Sequence, residues 1–318
     1  MKPLRIAVVG AGHMGRLHAR TVAELAQRGG EVALSGVADL DRARAEEVAR
    51  ESGSQAAGDF RELVDAADAA IVAVPTRAHH PVVGGLLEAG LDVLVEKPIA
   101  ATLAEAESLL ADARARERVL AVGHLEWYNA ALRAMAPAIR RPRFVEAHRM
   151  GPFPGRATDV DIVRDLMIHD IDIVQRLVGE EPESVEGIGV PVISNEVDIA
   201  NARLRFPGGC VANFTASRVS PTPLRKMRFF QADGYFSVDF LAQSAVILRR
   251  RLGPDGDPRI EVEPIRFDPE DALAAQLRGF LTSLRARADA EGSAAAGLRA
   301  LRTALRVIDS LPALEALQ

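Results

Sequence analysis

A chain of 318 residues exceeds the size at which a single hydrophobic core stops growing, about 250–300 residues, so two domains are expected. Hydrophobic residues make up 48% and charged residues 26%, and the net charge of −5 lacks the basic excess that nucleic-acid binding requires. One cysteine excludes an internal disulfide, and no signal-peptide segment or membrane-spanning apolar segment is present. We therefore expect a cytoplasmic protein without nucleic-acid or membrane partners.

The first 121 residues alternate between strand-like apolar runs and amphipathic helical stretches. Strands are predicted within residues 5–10, 32–39, 67–75, 92–96 and 119–124, and helices within 14–29, 41–52, 80–89 and 102–117. Asp41 is a predicted N-cap, and Thr102 with Glu105 forms a predicted capping box. Repeated βαβ units predict a parallel, doubly wound sheet, so residues 1–121 are expected to form one α/β domain.

The remaining residues, 122–318, have a different pattern. One long helix is predicted from about 160 to 178, and strands dominate after it. Ala200, Ala202 and Leu204 alternate with polar residues, which is the period of a half-buried strand. Asp233-Gly234 predicts a hairpin, and two helices near 268–287 and 293–312 complete the chain. This pattern predicts a second, α+β domain with an open, mainly antiparallel sheet.

Three glycines lie between the first predicted strand and the first predicted helix. In this context a G-x-G-x-x-G pattern is typical of dinucleotide binding. Gly10 allows a tight turn, Gly12 lets the backbone approach a pyrophosphate, and Gly15 permits close packing of helix on strand. His13 and Met14 lie inside the turn and are expected to face the dinucleotide. The alternative is a loop whose glycines are incidental.

The choice of dinucleotide depends on Asp39, which ends the second predicted strand. A carboxylate there accepts hydrogen bonds from ribose hydroxyls and repels a 2′-phosphate, so NAD is the predicted cofactor. NADP remains the alternative, because a guanidinium of Arg42 or Arg44 could pair with that phosphate. Helix capping, the structural alternative for Asp39, is a task that Asp41 can perform.

The dipeptide Glu96-Lys97 ends another predicted strand, followed by Pro98. The carboxyl ends of strands in an open α/β sheet face the ligand crevice, and a proline restricts the backbone of the residue before it. Lys97 is therefore a candidate for chemistry on a ligand. A surface strand end is the plainer alternative.

The long predicted helix carries a polar stripe. Asp165, His169, Asp172 and Arg176 stand at i, i+4, i+7 and i+11, between apolar flanks. Because so apolar a helix is expected to be buried, its carboxylates and imidazole need partners or a chemical task. A structural stripe is the alternative. A metal site is not expected, because no second histidine stands one turn from His169.

With these residues in place, the chain resembles the Gfo/Idh/MocA (glucose–fructose oxidoreductase / inositol dehydrogenase) family nearly end to end. The segments that carry the resemblance are VVGAGHMGRLHA, VADLDRARA, VPTRAHHPVV, GLDVLVEKPIA, VGHLEWYNAAL and DLMIHDIDIVQRLVG. The resemblance implies an N-terminal Rossmann domain and nicotinamide-dependent oxidation or reduction of a sugar or cyclitol carbon. It also implies a homodimer or homotetramer formed through the C-terminal sheet.

The resemblance also implies roles for individual residues. Lys97 matches the lysine of the family's EKP motif, which assists proton transfer and orients the substrate. His169 matches the catalytic histidine of a D-x-x-x-H motif, Asp165 its partner, and Asp172 a position that contacts substrate hydroxyls. The positions that match dinucleotide contacts are Gly10, Gly12, Gly15, Asp39, Pro75, Thr76, His79 and Glu96.

A longer signature resembles a subgroup of the family that oxidises the C3 hydroxyl of UDP-N-acetylglucosamine with NAD. It comprises GHLEWYNAA and RMGPFPGRATDVDIVRDLMIHDIDIV, and it implies substrate contacts for Tyr128, Asn129 and Arg156. Arg149 and Arg156 are expected to meet the diphosphate, and a mobile loop with exposed arginines is the alternative. Trp127-Tyr128-Asn129-Ala130 departs from the subgroup's frequent Arg-Phe-Asn-Pro. A free-sugar or cyclitol dehydrogenase and a non-catalytic dinucleotide-binding sensor are the alternatives.

Overall fold

The computed structural model describes residues 2–153, 161–288 and 293–312. The chain forms two compact units, one of Met1–Leu125 with Asp271–Leu298 and one of Glu126–Glu270 with Arg299–Gln318. The sequence-based division at 121/122 assigns everything after it to the second domain. In the structure, residues 271–298 belong instead to the N-terminal unit. No helix in the described ranges is long and apolar enough to span a bilayer.

The strands and helices are numbered in chain order. The strands are β1 (Leu4–Val9), β2 (Val32–Ala38), β3 (Gln55–Ala57), β4 (Ala69–Val72), β5 (Asp92–Glu96), β6 (Leu120–Gly123), β7 (Phe144–Met150), β8 (Ser184–Val190), β9 (Ile199–Arg205), β10 (Val211–Ser217), β11 (Leu224–Gln231), β12 (Gly234–Asp239), β13 (Ser244–Leu252) and β14 (Pro258–Glu263). The α-helices are α1 (His13–Gly29), α2 (Arg42–Ser52), α3 (His79–Glu88), α4 (Leu103–Ala115), α5 (Ala130–Met135), α6 (Ile168–Val178), α7 (Ala272–Ala286) and α8 (Ser293–Ser310).

The first unit is built on a six-stranded sheet in the order β3-β2-β1-β4-β5-β6. Every strand pair in it is parallel. The order reverses between β1 and β4, which is the switch point of a doubly wound sheet, where ligands bind beyond the carboxyl ends of the strands. The predicted Rossmann fold is confirmed.

The core of this unit explains why its strands are nearly continuous apolar runs. Ile6 of β1 and Ile71 of β4 have no exposed surface, as expected for parallel strands covered on both faces. They share a hydrophobic cluster with Val22 of α1 and with Leu277 and Phe280 of α7. Helix α7 therefore supplies part of the core, which accounts for the return of residues 271–298 to this unit.

Two predicted helix caps are present. The carboxylate of Asp41 accepts a hydrogen bond from Arg44 N at 3.2 Å and so begins α2. At the start of α4, Thr102 Oγ1 accepts from Glu105 N, and Glu105 Oε2 accepts from Thr102 N at 3.0 Å. Each pairing satisfies backbone N–H groups that have no partner inside the helix.

The second unit is built on an eight-stranded sheet in the order β14-β13-β12-β11-β7-β10-β9-β8. Strand β7 runs parallel to β10, and the other neighbouring pairs are antiparallel. One face holds Phe214, Phe229 and Phe236, which cluster with Ile171 of α6 and Ala304 of α8. The predicted combination of a parallel Rossmann sheet with a mainly antiparallel second sheet is confirmed.

The local patterns predicted for this sheet also agree with the structure. On β9, Ala200, Ala202 and Leu204 are buried and the residues between them are not, so the period-two reading is correct. The predicted hairpin is present: Ala232 and Asp233 join β11 to β12, and Gly234, the first residue of β12, pairs with Gln231.

The predicted helix over 160–178 has two parts. Residues 154–160 lie outside the described residues. Val163–Met167 form a π-helical turn, and α6 continues from Ile168 to Val178 and ends at Gly179, whose φ is 79°. A π turn has hydrogen bonds from i to i+5, so it is wider than an α-turn, and such turns are frequent at functional sites.

Candidate active site

The glycine-rich turn shows why two of its three glycines are required by packing. Gly10 has φ +99°, and a Cβ there would lie 2.5 Å from the carbonyl oxygen of Ala73. A Cβ on Gly15 would overlap the carbonyl oxygen of Gly10. At Gly12, by contrast, no atom of the described residues beyond its chain neighbours lies within 4 Å of a Cβ position, so the space there is open to a ligand.

A cavity of about 630 Å³ lies beside this turn in the first unit. Six of its lining residues were predicted as cofactor contacts: Gly10, Gly12, His13, Met14, Asp39 and Pro75. It also reaches the ends of β1, β2 and β4, at Val9, Ala38 and Ala73. The cavity therefore occupies the switch point of the sheet, where a dinucleotide binds in this fold.

Helix α1 begins at His13 with Gly12 as its N-cap, and no side chain in the described part of the chain caps it. The N–H groups of the first turn of a helix have no partner inside the helix and carry the positive end of its dipole. This end of the cavity is therefore suited to an anion such as a pyrophosphate.

Asp39 holds the glycine-rich turn against the end of β2. Its Oδ2 accepts from Ala11 N at 2.7 Å, and its Oδ1 accepts from Asp41 N at 2.9 Å. Because Asp41 caps α2, Asp39 is not needed as a helix cap. A carboxylate has about four acceptor positions, so each oxygen can accept a further hydrogen bond from a ligand hydroxyl.

The guanidinium groups at this end of the cavity are paired with carboxylates. Arg44, a lining residue, lies 3.4 Å from Asp41, and Arg61 lies 2.9 Å from Asp59 and stacks on Phe60. Arg42, which is not among the lining residues, lies 3.2 Å from Glu46 on its own helix. Each of these arginines thus has an exposed carboxylate partner.

Lys97 lies just beyond β5 and is half-buried. The residues on either side of it are fixed by buried histidines. Glu96 Oε1 lies 2.7 Å from His18 Nε2, and the carbonyl oxygen of Pro98 lies 2.8 Å from His79 Nδ1. Glu96 thus contacts α1 in this structure and is not among the cavity-lining residues.

His79 was expected at the cofactor, but the structure places it in the core of the first unit. It is 1% exposed, and its Nε2 lies 2.9 Å from the carbonyl oxygen of Val74. Burial lowers the pKa of this imidazole below its usual value, against the opposite effect of the two carbonyl contacts. Thr76, also predicted, begins a 3₁₀ turn between the lining residues Pro75 and Ala78 and is half-buried.

In the second unit, the D-x-x-x-H motif spans the junction between the π turn and α6. Asp165 lies in the π turn and His169 in the first turn of α6, and both are half-buried. The predicted regular α-helical spacing between them is therefore replaced by the wider geometry of the π turn.

Asp172 was predicted to contact substrate hydroxyls, but its carboxylate is paired within its own helix. It is 1% exposed, and its two oxygens lie 3.0 Å and 2.9 Å from Arg176 Nε. The Arg176 guanidinium in turn lies 5.0 Å from the centre of the Trp127 ring. The structural reading of this part of the stripe is the one that the geometry favours.

Sequence reasoning missed a buried ionic network next to His169. Arg149 on β7 donates from Nε and Nη2 to Asp170 and from Nη1 to Glu126, which also accepts from Arg225 at 3.3 Å. Burial opposes the charge on Arg149, but Asp170 and Glu126 outweigh it and raise the pKa of the guanidinium. Arg149 is therefore engaged within the unit instead of being exposed to a diphosphate.

The residues predicted around a sugar pocket have structural contacts as well. Asn129 caps α5, because its Oδ1 accepts from Ala131 N and Leu132 N and its Nδ2 donates to the Phe240 carbonyl. Tyr128 is buried, with the guanidinium of Arg133 5.4 Å from its ring centre. Arg156 lies outside the described residues. Within the described ranges, no group of His, Cys, Asp or Glu suited to a metal ion is found.

Comparison with known proteins also indicates an oxidoreductase that binds a dinucleotide. Residues 4–124 match the family described as an oxidoreductase family with an NAD-binding Rossmann fold, and residues 136–237 match the C-terminal domain of the GFO/IDH/MocA proteins. A UDP-N-acetylglucosamine 3-dehydrogenase of Acidithiobacillus ferrooxidans is 38% identical over 96% of both chains. A crystal form of the enzyme of that name from the same organism has a TM-score of 0.90, with 99% of each chain covered and 36% identity.

More distant relatives are named as dehydrogenases of other polyols. A myo-inositol dehydrogenase of Streptomyces leeuwenhoekii is 33% identical over 69% of this chain and 71% of its own. Levoglucosan dehydrogenase, solved with NADH and levoglucosan, shares the fold at a TM-score of 0.85 and 17% identity, with 97% of each chain covered. The chain belongs to the Gfo/Idh/MocA family of oxidoreductases.

Proposed function

We propose that this protein is an NAD-dependent dehydrogenase that oxidises the C3 hydroxyl of UDP-N-acetylglucosamine to a ketone. The observation that carries the proposal is the 38% identity, over 96% of both chains, to an enzyme of that name. The glycine-rich turn beside a 630 Å³ cavity supports the dinucleotide half of it.

NAD is proposed over NADP because of Asp39. The open space at Gly12 and the uncapped start of α1 fit a pyrophosphate, and the Asp39 carboxylate can accept from ribose hydroxyls. The same carboxylate repels a 2′-phosphate, and the nearby Arg44 and Arg61 already face Asp41 and Asp59.

The chemistry assigned to the chain is proton removal. A bound nicotinamide supplies a hydride acceptor, so oxidation of the hydroxyl carbon leaves one proton for the protein to take. We assign that proton to the imidazole of His169, with Asp165 stabilising the charged ring and Lys97 donating to the substrate oxygen. General base catalysis of this kind contributes about 10²–10⁴-fold to the rate.

The test is formation of reduced nicotinamide, followed by absorbance at 340 nm. UDP-N-acetylglucosamine, UDP-N-acetylgalactosamine, free N-acetylglucosamine and myo-inositol are each supplied with NAD and with NADP. Activity is expected with NAD and the UDP-sugar. Lys97→Ala and His169→Ala should each lower kcat by about 100-fold or more, whereas Lys226→Ala, a lysine on β11, should not. Wild-type turnover in both active-site variants would refute these roles.

A cyclitol or free-sugar dehydrogenase is the second candidate, because of the 33% identity to a myo-inositol dehydrogenase. It predicts turnover without the UDP group. NAD binding without turnover of any of these compounds would favour a dinucleotide-binding sensor instead.

We also propose that the chain forms a homodimer or homotetramer through its eight-stranded sheet. Apolar side chains are exposed at one edge, where Ile260 is 76% and Val262 is 71% exposed, and Ile188 and Val190 are exposed on β8 at the other edge. Light scattering after gel filtration should give a molar mass that is a multiple of 34.1 kDa. The double variant Ile260→Lys/Val262→Lys should lower this mass. A cytoplasmic location, which fits the single free cysteine, Cys210, completes the proposal.

A further inference from the structure

We propose that two buried histidines, His18 and His79, position Lys97 and couple it to the walls of the dinucleotide cavity. The inference rests on the proposed function only in giving Lys97 a catalytic task. Its geometry lies entirely within the first unit.

His18 fixes the residue before Lys97. It lies on α1, the helix whose first residues, His13 and Met14, line the cavity. The imidazole is 1% exposed, and its Nε2 lies 2.7 Å from Oε1 of Glu96, which is itself mostly buried. Glu96 in turn lies against Gly123, where a Cβ would come within 3.0 Å of its Oε2.

The surroundings of His18 also define its tautomer. Within the described ranges, its Nδ1 is buried without a hydrogen-bond partner. A buried N–H without an acceptor is more costly than a bare ring nitrogen, so in the neutral imidazole the proton is assigned to Nε2, which donates to Glu96 Oε1.

His79 fixes the residue after Lys97. It begins α3, directly after the cavity-lining segment that contains Pro75 and Ala78. Its ring lies between the carbonyl oxygens of Val74, another lining residue, and Pro98, at 2.9 Å and 2.8 Å. The chain on both sides of Lys97 is thus tied to elements that line the cavity.

These contacts fix the backbone from which the Lys97 side chain starts. That backbone position is held at Glu96 through α1 and at Pro98 through α3. A shift of either cavity wall is transmitted to this position through one buried hydrogen bond. Placement matters for catalysis, since a displacement of about 1 Å can cost about 100-fold in rate.

The sequence provides an unusually direct probe, because Lys2, Lys97 and Lys226 are its only lysines. Protein grown with lysine carrying ¹³C at Cε gives one side-chain NMR signal for each, and Lys97→Arg assigns the signal of interest. In the wild-type protein this signal should differ from those of the other two lysines and should move when NAD is added.

Removal of either histidine contact should change the signal. In His18→Leu and in His79→Leu, the Lys97 signal should move toward the position of the Lys2 signal and respond less to NAD. In His18→Gln and His79→Asn, whose amide nitrogens can still donate to Glu96 and Pro98, it should stay near the wild-type position. His80→Leu, on the next residue of α3, is the matched control and should leave it unchanged.

Circular dichroism and thermal unfolding verify that each variant is folded. If a leucine variant fails to fold, Glu96→Met breaks the His18 contact from its more exposed end, and Glu96→Gln retains an acceptor there. A Lys97 signal that keeps its wild-type position in every folded variant that lacks a contact would overturn the proposal.

Kinetics separate this proposal from the proposed function. If the function is correct, His18→Leu should lower kcat by about 10- to 100-fold, and His18→Gln should restore most of it. The NMR signal is recorded without substrate. A moved Lys97 signal without turnover of any sugar therefore supports the positioning role and refutes the proposed substrate alone.

Discussion

Arg149 and Asp170 form a buried bidentate ion pair, with Nε 3.1 Å from Oδ2 and Nη2 2.7 Å from Oδ1. The pair joins β7 to α6 one residue after His169. Both side chains are almost fully buried, and Glu126 adds a second carboxylate to the same guanidinium. The position of the helix that carries the predicted base is thus set by a charge pair that water does not screen.

Asp170→Ala is expected to destabilise the protein by about 3–5 kcal/mol, because it leaves the Arg149 charge buried with one partner fewer. Urea unfolding followed by circular dichroism measures the change. Asp233→Ala is the matched control, since Asp233 pairs with Arg249 but is exposed, and it should cost far less. Equal free energies of unfolding for the two variants would contradict the role given to the buried pair.

The three glycines of the turn should respond differently to alanine. Gly10→Ala and Gly15→Ala bring a Cβ into backbone carbonyls, so both should lower the unfolding temperature. Gly12→Ala meets no protein atom and should fold normally, yet weaken NAD binding, because its methyl group occupies the space meant for the ligand. Differential scanning fluorimetry and NAD titration distinguish the two effects. Normal NAD affinity in Gly12→Ala would argue against a pyrophosphate at this position.

Asp39 should act on coenzyme choice and on loop structure separately. Asp39→Asn keeps an oxygen that can accept from Ala11 N but removes the charge that repels a 2′-phosphate, so the ratio of kcat/KM for NAD over NADP should fall. Asp39→Ala also loses the contacts to Ala11 and Asp41 and should lower the unfolding temperature as well. An unchanged ratio in Asp39→Asn would show that the carboxylate does not select the coenzyme.

The buried His79 predicts a loss of stability in acid. Burial lowers the pKa of His79 in the folded protein, whereas in the unfolded chain the pKa stays near the ordinary histidine value of 6.5. Below pH 6.5 the unfolded chain binds a proton that the folded protein does not, so the free energy of unfolding falls as the pH decreases and is highest above 6.5. Urea unfolding at a series of pH values should show a shallower acid slope in His79→Asn. Parallel slopes would mean that His79 does not titrate in this way.

Patterns that depend on neighbours in the chain were readable from the sequence. The capping box at Thr102 and Glu105 and the alternation along β9 involve residues a few positions apart, so local spacing is sufficient to predict them. The three glycines were readable for a related reason, because their conformational and packing demands belong to a single turn.

Contacts between distant residues were not readable in this way. Glu96, His79 and Asn129 have the chemistry of ligand contacts, but their partners, His18, Pro98 and Phe240, are distant in sequence. Which buried polar group pairs internally depends on strand order and helix packing. Sequence periodicity indicated that α7 is a helix but contained no information about which core it completes.

The position of α7 has a consequence for synthesis on the ribosome. Leu277 and Phe280 pack with Ile6 and Val8, so the core of the first unit lacks a wall until residues 126–270, which belong to the second unit, have been made. Domains generally fold in the order in which they emerge, at about 5–20 residues per second. Here neither unit can complete its core before residues 126–270 are made, because the second unit also takes residues 299–318. The apolar sheet of the first unit remains incompletely covered while residues 126–270 are being translated.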